Sequence, residues 1–242
     1  MRRRTAALSA AAAFVAAAVA VSLPSSRVAW TLETVTLVRG GDPARGKELH
    51  KDCSDCHGPT GNIDTPDVPN LAGQDALYTF KQLQDYKNES RPSPSVMGDA
   101  AKALSDRDMA DLAAFYAAQA PAPSPKSTPV PDAGAARLVR MGDGARLIPP
   151  CEACHSPEGI GARTSYGNPD LQNQKYDDLL LQMTDFRSGA RANDVYRVMR
   201  DVSRSLTDAE IAALAAYYSN TAPRAPAASP AATSAPVVSD KK

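Results

Sequence analysis

Aromatic residues are scarce, only 5% of the 242 in the chain. A chain of this length calls for two domains, and with 20 prolines and long Ala-rich stretches its apolar material is thin for two cores. A large buried group would supply the missing bulk. Net charge is absent as well: 27 Lys and Arg balance 27 Asp and Glu. Without a surplus or a cluster of basic residues there is no footprint for nucleic acid. Neither half shows the alternation of apolar and polar residues that a half-buried strand requires, so the expected fold class is all-α. Histidine is limited to three residues and cysteine to four, which leaves few ways to build a metal or redox site.

The chain opens with Arg2, Arg3 and Arg4, followed by 19 uncharged residues from Thr5 to Leu23. This pattern marks an export signal, and Ala18-Val19-Ala20 offers a small-residue cleavage site. The run is also long enough to span a bilayer, with Trp30 suited to the outer interface. Residues 1–29 therefore read as a signal peptide or an N-terminal membrane anchor, and both readings place the remainder in the periplasm. Five prolines between Pro121 and Pro131 make 120–136 a semi-rigid linker, and the Pro/Ala/Ser-rich residues 221–242 read as a disordered tail. Two units remain, 41–119 and 137–220. Asp42 to Gln119 holds 8 basic and 13 acidic side chains, a net of −5, and Arg137 to Asn220 holds 10 and 11, a net of −1.

The two units repeat each other. Cys53-Ser-Asp-Cys56-His57 returns as Cys151-Glu-Ala-Cys154-His155, and Pro69-Asn70-Leu71-Ala-Gly-Gln74 as Pro169-Asp170-Leu171-Gln-Asn-Gln174. Gln82, Asp85, Tyr86 and Arg91 are matched by Gln182, Asp185, Phe186 and Arg191. Finally Leu104-Ser-Asp returns as Leu206-Thr-Asp, each opening a segment with apolar residues at helical spacing: Met109, Leu112 and Tyr116, then Ile211, Leu214 and Tyr218. Ser105 with Asp108 and Thr207 with Glu210 are predicted capping boxes. The offset drifts from 98 through 100 to 102 along the repeat, which implies small insertions in the second unit.

Cys-x-x-Cys-His is the haem c attachment sequence: Cys53 and Cys56, and again Cys151 and Cys154, supply two thioethers, and His57 and His155 bind the iron from one side. A zinc site would pair its Cys-x-x-Cys knuckles about 15–20 residues apart, whereas these lie in separate repeats. A thioredoxin-like pair needs a βαβ setting and no adjacent His. The sixth iron ligand follows by elimination. Only His50 is left, and it has no histidine counterpart in the second unit, so both irons cannot be bis-His. Methionine is the soft alternative. Met109 aligns with Ile211, Met183 with Leu83 and Met141 with Pro43, whereas Met97 and Met199 align with each other. Those two are the predicted distal ligands. Pro69 and Pro169 could orient each proximal His through a backbone carbonyl or could simply shape a turn. Arg91 and Arg191 could pair with haem propionates or be solvated.

The order Cys-x-x-Cys-His, Pro-x-Leu, Arg, Met and Leu-Ser/Thr-Asp, twice over between about Gly41 and Asn220, resembles the dihaem class I cytochromes c of the cytochrome c4 type. The resemblance implies two small helical class I cytochrome c domains, each around one haem, packed closely enough to exchange electrons. It implies a periplasmic carrier whose donor is a quinol-oxidising complex (quinol-cytochrome c reductase) or a dehydrogenase, and whose acceptor is a terminal oxidase or reductase. A dedicated cytochrome subunit of a periplasmic dehydrogenase complex is the alternative. A dihaem peroxidase would need an open iron with acid/base groups beside it, and only His50 is unassigned, so an electron carrier rather than an enzyme is expected.

Overall fold

Each unit closes on a C-terminal helix whose start is dictated by the local sequence. In the first unit this helix is α6 (Asp106–Ala117), in the second α11 (Asp208–Ser219). Ser105 Oγ accepts the Asp108 N–H at 3.1 Å while the Asp108 carboxylate accepts the Ser105 N–H at 2.9 Å. Thr207 and Glu210 repeat the arrangement at 3.2 and 2.9 Å. Both boxes satisfy donors that a helix start would otherwise orphan. Behind them Met109, Leu112, Tyr116, Ile211, Leu214 and Tyr218 are buried, as their spacing requires.

The computed structural model describes residues 30–66, 68–92, 95–122, 132–155, 167–172 and 174–221. The expected leader or anchor (1–29), most of the linker and the tail (222–242) lie outside the described residues. The first unit contains α1 (Leu32–Arg39), α2 (Pro43–Leu49), α3 (Ser54–His57), α4 (Ala76–Lys87) and α5 (Ser95–Lys102) ahead of α6. The second contains α7 (Ala133–Met141), α8 (Glu152–His155), α9 (Tyr176–Ser188) and α10 (Val198–Arg204) ahead of α11. Among the described residues there is no strand, only one isolated bridge between Asp143 and Ile148. No described helix is long and apolar enough to cross a membrane.

α6 is the pillar of the first unit, packed by α1, α2 and α4, and α11 takes that place in the second against α7 and α9. α2 lies so close to α6 that a Cβ on Gly46 would stand 2.1 Å from the Asp111 carbonyl oxygen. Glycine is required there by contact rather than by backbone angle. Asp111, fully buried, accepts the Asp42 N–H at 2.7 Å and meets Arg107 Nε at 3.0 Å, which ties the start of α2 to α6.

Three features differ from a plain reading of the repeat. α1 lies ahead of residue 41 and yet belongs to the first core, where Val35 and Val38 pack with Phe80 and Met109. His50 does not share one helix with His57, because a 3₁₀ turn, His50–Asp52, separates α2 from α3. In the second unit α7 faces α11 as α2 faces α6, each led in by an N-capping aspartate, Asp132 and Asp42. Between α7 and its Cys-x-x-Cys-His the chain then inserts a 3₁₀ turn, Gly144–Arg146, pinned by Arg146 on Glu210 of α11 at 2.7 Å.

The units meet across a reciprocal interface. Arg91 bonds Gln182 at 3.1 Å and Arg191 bonds Gln82 at 3.1 Å. Gln174 bonds the backbone of Asn70, and Gln74 bonds the backbone of Asp170. Equivalent residues thus exchange equivalent bonds, which is the signature of an approximate two-fold axis. Lys175 adds a bond to the Val68 carbonyl at 2.7 Å, and Asn193 reaches Asp85 at 2.6 Å.

Candidate functional site

His57 closes α3 and His155 closes α8, one turn past the first cysteine of each motif. Both rings are buried. The Pro69 carbonyl lies 3.1 Å from His57 Nδ1 and the Pro169 carbonyl 3.0 Å from His155 Nδ1. A carbonyl can only accept, so Nδ1 carries the hydrogen in each ring and Nε2 keeps its lone pair. Each proline carbonyl therefore orients its imidazole, which is more than shaping a turn. Burial, more than any neighbour, lowers both imidazole pKa values, which keeps the rings neutral as metal binding requires.

No disulfide joins any of the four cysteines. Cys53 and Cys151 are half-buried, Cys56 and Cys154 exposed. Burial raises the Cys53 pKa and pushes the Cys151 thiol up to about 11, the reverse of what a disulfide-exchange pair needs. Among the described residues no group of three or more His, Cys, Asp or Glu is arranged to hold a metal ion, so the zinc reading finds no site. Cys53 instead packs on the apolar cluster of Leu112, Phe115 and Tyr116, and Cys151 on the cluster that holds Leu138, Ile148 and Leu214. Two thiols, an imidazole with Nε2 free and an apolar wall fit a covalently held haem in each unit.

Met97 lies on α5, which packs on α4, and Met199 on α10, which packs on α9; both are half-buried. Met109 is fully buried in the first core and Met183 packs on the second, whereas Met141 is 71% exposed. His50 is engaged at both ring nitrogens. Its Nε2 donates to the Pro59 carbonyl at 3.0 Å, so its Nδ1 accepts from the Tyr116 hydroxyl at 2.9 Å. Neither nitrogen is left for iron. Burial lowers its pKa, consistent with a neutral structural histidine.

Two expectations are corrected. Arg91 and Arg191 are not solvated: their guanidinium groups stack over Tyr86 at 4.7 Å and Phe186 at 4.4 Å, and each bonds both Gln82 and Gln182. Trp30, suited on sequence to a membrane surface, packs on the first apolar cluster and against Gly167, where a Cβ would lie 2.3 Å from its Cζ2. Sequence reasoning also passed over Gln74, Gln174 and Asn193. The only signal for the two glutamines was their recurrence at equivalent positions without an apolar role.

Both units match the family model Cytochrome c, over residues 43–118 and 142–222. The chain is 38% identical to cytochrome c4 of Azotobacter vinelandii over 187 residues, covering 73% of this chain and 88% of that protein. It is 37% identical to the thiosulfate dehydrogenase electron acceptor of Stutzerimonas stutzeri, over 69% of this chain and 78% of that one. The crystal structure of reduced recombinant cytochrome c4 from Pseudomonas stutzeri superposes with a TM-score of 0.66 at 34% identity, covering 75% of this chain and all of that one. Two tandem domains of this kind, each with its own Cys-x-x-Cys-His motif, bind two covalent haem c groups. The chain is a dihaem electron carrier and belongs to the cytochrome c family, in its cytochrome c4 group.

Proposed function

We propose that the protein carries electrons in a periplasmic respiratory chain, from a quinol-oxidising complex or a dehydrogenase to a terminal oxidase or reductase, and catalyses no reaction of its own. His57 with Met97, and His155 with Met199, are the axial ligand pairs, and Cys53, Cys56, Cys151 and Cys154 hold the haems. The observation that carries this reading is the twin hydrogen bond from each imidazole Nδ1 to a proline carbonyl, which presents Nε2 beside two thiols in both units. The haem supplies one-electron chemistry when bound. The chain orients each imidazole, buries it, and provides a thioether that raises the potential and closes the iron.

The methionine assignment is open to direct test. The oxidised protein should show the weak sulfur-to-iron band at the red end of its visible spectrum, and Met97→Ala and Met199→Ala should each remove about half of it. Met109→Leu should leave the band whole. Loss of the band in the Met109 variant alone would overturn the assignment.

A relative described as the electron acceptor of thiosulfate dehydrogenase supports a second reading, a dedicated partner of one dehydrogenase. Purification from the native periplasm separates the two. A free carrier elutes at the mass of one chain, and a dedicated subunit elutes with a stoichiometric partner.

A further inference from the structure

The peptide group between Pro69 and Asn70 is used at both ends. Its carbonyl accepts from His57 Nδ1 at 3.1 Å, and its N–H donates to Gln174 Oε1 of the other unit at 3.1 Å. The peptide between Pro169 and Asp170 is used in the same way: its carbonyl accepts from His155 Nδ1 at 3.0 Å, and its N–H donates to Gln74 Oε1 at 2.7 Å. Each glutamine is fixed in orientation, because its Nε2 donates in turn to a backbone carbonyl: Gln174 to Asn70 at 2.7 Å, Gln74 to Asp170 at 2.9 Å. With a backbone N–H on one side and a backbone carbonyl on the other, the amide has one workable setting. Both glutamines, Asn70 and Asp170 are buried, so water does not compete for these bonds.

We propose that Gln174 and Gln74 are crossed positioning residues, each setting through one peptide group the hydrogen bond to the proximal histidine of the opposite unit, and so tuning the potential of the opposite haem. This rests on the assignment of His57 and His155 as iron ligands. The direction follows from polarisation. When the Asn70 N–H is bonded to Gln174, the carbonyl of the same peptide becomes a stronger acceptor. A stronger acceptor draws the His57 Nδ1 hydrogen and makes the ring a more basic ligand, which favours ferric iron and lowers the potential. The same chain runs from Gln74 to His155. Each haem is thereby influenced by a side chain that belongs to the other domain, and only loss of both glutamines changes both potentials.

The test uses the holoprotein with Gln174→Met, which keeps the length of the side chain and removes its acceptor and donor. Spectroelectrochemical titration should show the potential of the first-domain haem rising while that of the second stays in place. The hyperfine-shifted Nδ1–H resonance of His57 should move, and that of His155 should not. Gln74→Met should give the mirror result. Gln182→Met, which removes an interface glutamine that contacts neither proline peptide, should leave both resonances where they are. A shift confined to the haem of the mutated domain, equal shifts in both, or no shift with both irons still low-spin would overturn the relay. If either haem lacked an imidazole Nδ1–H resonance in the unmodified protein, the ligand assignment itself would fall, and that result is read before any variant is made.

Discussion

At the scale of single residues the two units share a framework and differ in how polar groups are satisfied. Tyr116 and Tyr218 occupy equivalent buried places, but the Tyr116 hydroxyl is bonded to His50 and the Tyr218 hydroxyl has no partner among the described residues. Tyr116→Phe should therefore cost about 1–3 kcal/mol, because it strands the buried His50 Nδ1. Tyr218→Phe should be close to neutral, and urea unfolding of the two variants measures the contrast. Equal losses would show that the hydroxyl bond is not what distinguishes them. The two haem attachment motifs were legible in sequence because covalent attachment imposes a fixed spacing, and the proposed methionine ligands rest on the one Met pair that the repeat preserves. The role of His50 was legible only as an exclusion. Its bonds to Pro59 and Tyr116 join residues 9 and 66 positions away, a distance no local pattern encodes.

At the scale of elements, the caps and buried stripes of α6 and α11 follow from short-range rules, and both were readable. α1 was not, since its contacts with α4 and α6 appear only once the chain has folded back. The drift of the repeat offset betrayed an insertion between Arg191 and Met199 but not its form. The inserted chain sets Tyr196 and Arg197 consecutively in the left-handed region, at φ 53° and 63°. The 3₁₀ turn ahead of the second Cys-x-x-Cys-His is held by the Arg146–Glu210 pair. Arg146, the largest cause, lowers the Glu210 pKa from an ordinary 4.5 to about 2. A lowered carboxylate pKa contributes stability that is whole above about 4.5 and is lost as pH falls toward the folded value. Glu210→Gln should thus cost about 1 kcal/mol at neutral pH, the scale of a partly exposed pair, and flatten the acid limb of stability against pH between those values. An unchanged acid limb would contradict this account of the pair.

At the scale of the molecule, the reciprocal interface joins two domains that the sequence separates by a proline-rich linker. Nothing in the linker announced this, because the contacts are made by polar side chains whose partners lie about 90 to 113 residues away. The charge asymmetry belongs to each unit as a whole, with a net of −5 over residues 42–119 and −1 over 137–220. Association with a basic redox partner should slow as salt rises, because the Debye length shrinks to about 8 Å at physiological ionic strength. A rate independent of salt would remove the electrostatic part of the docking account. On the proposed ligand set, both irons are closed by protein side chains and only exchange electrons. Stopped-flow mixing of the reduced protein with carbon monoxide tests this most directly. Neither haem should bind on the time scale of electron exchange, whereas rapid binding at one of them would show that this domain holds an open site.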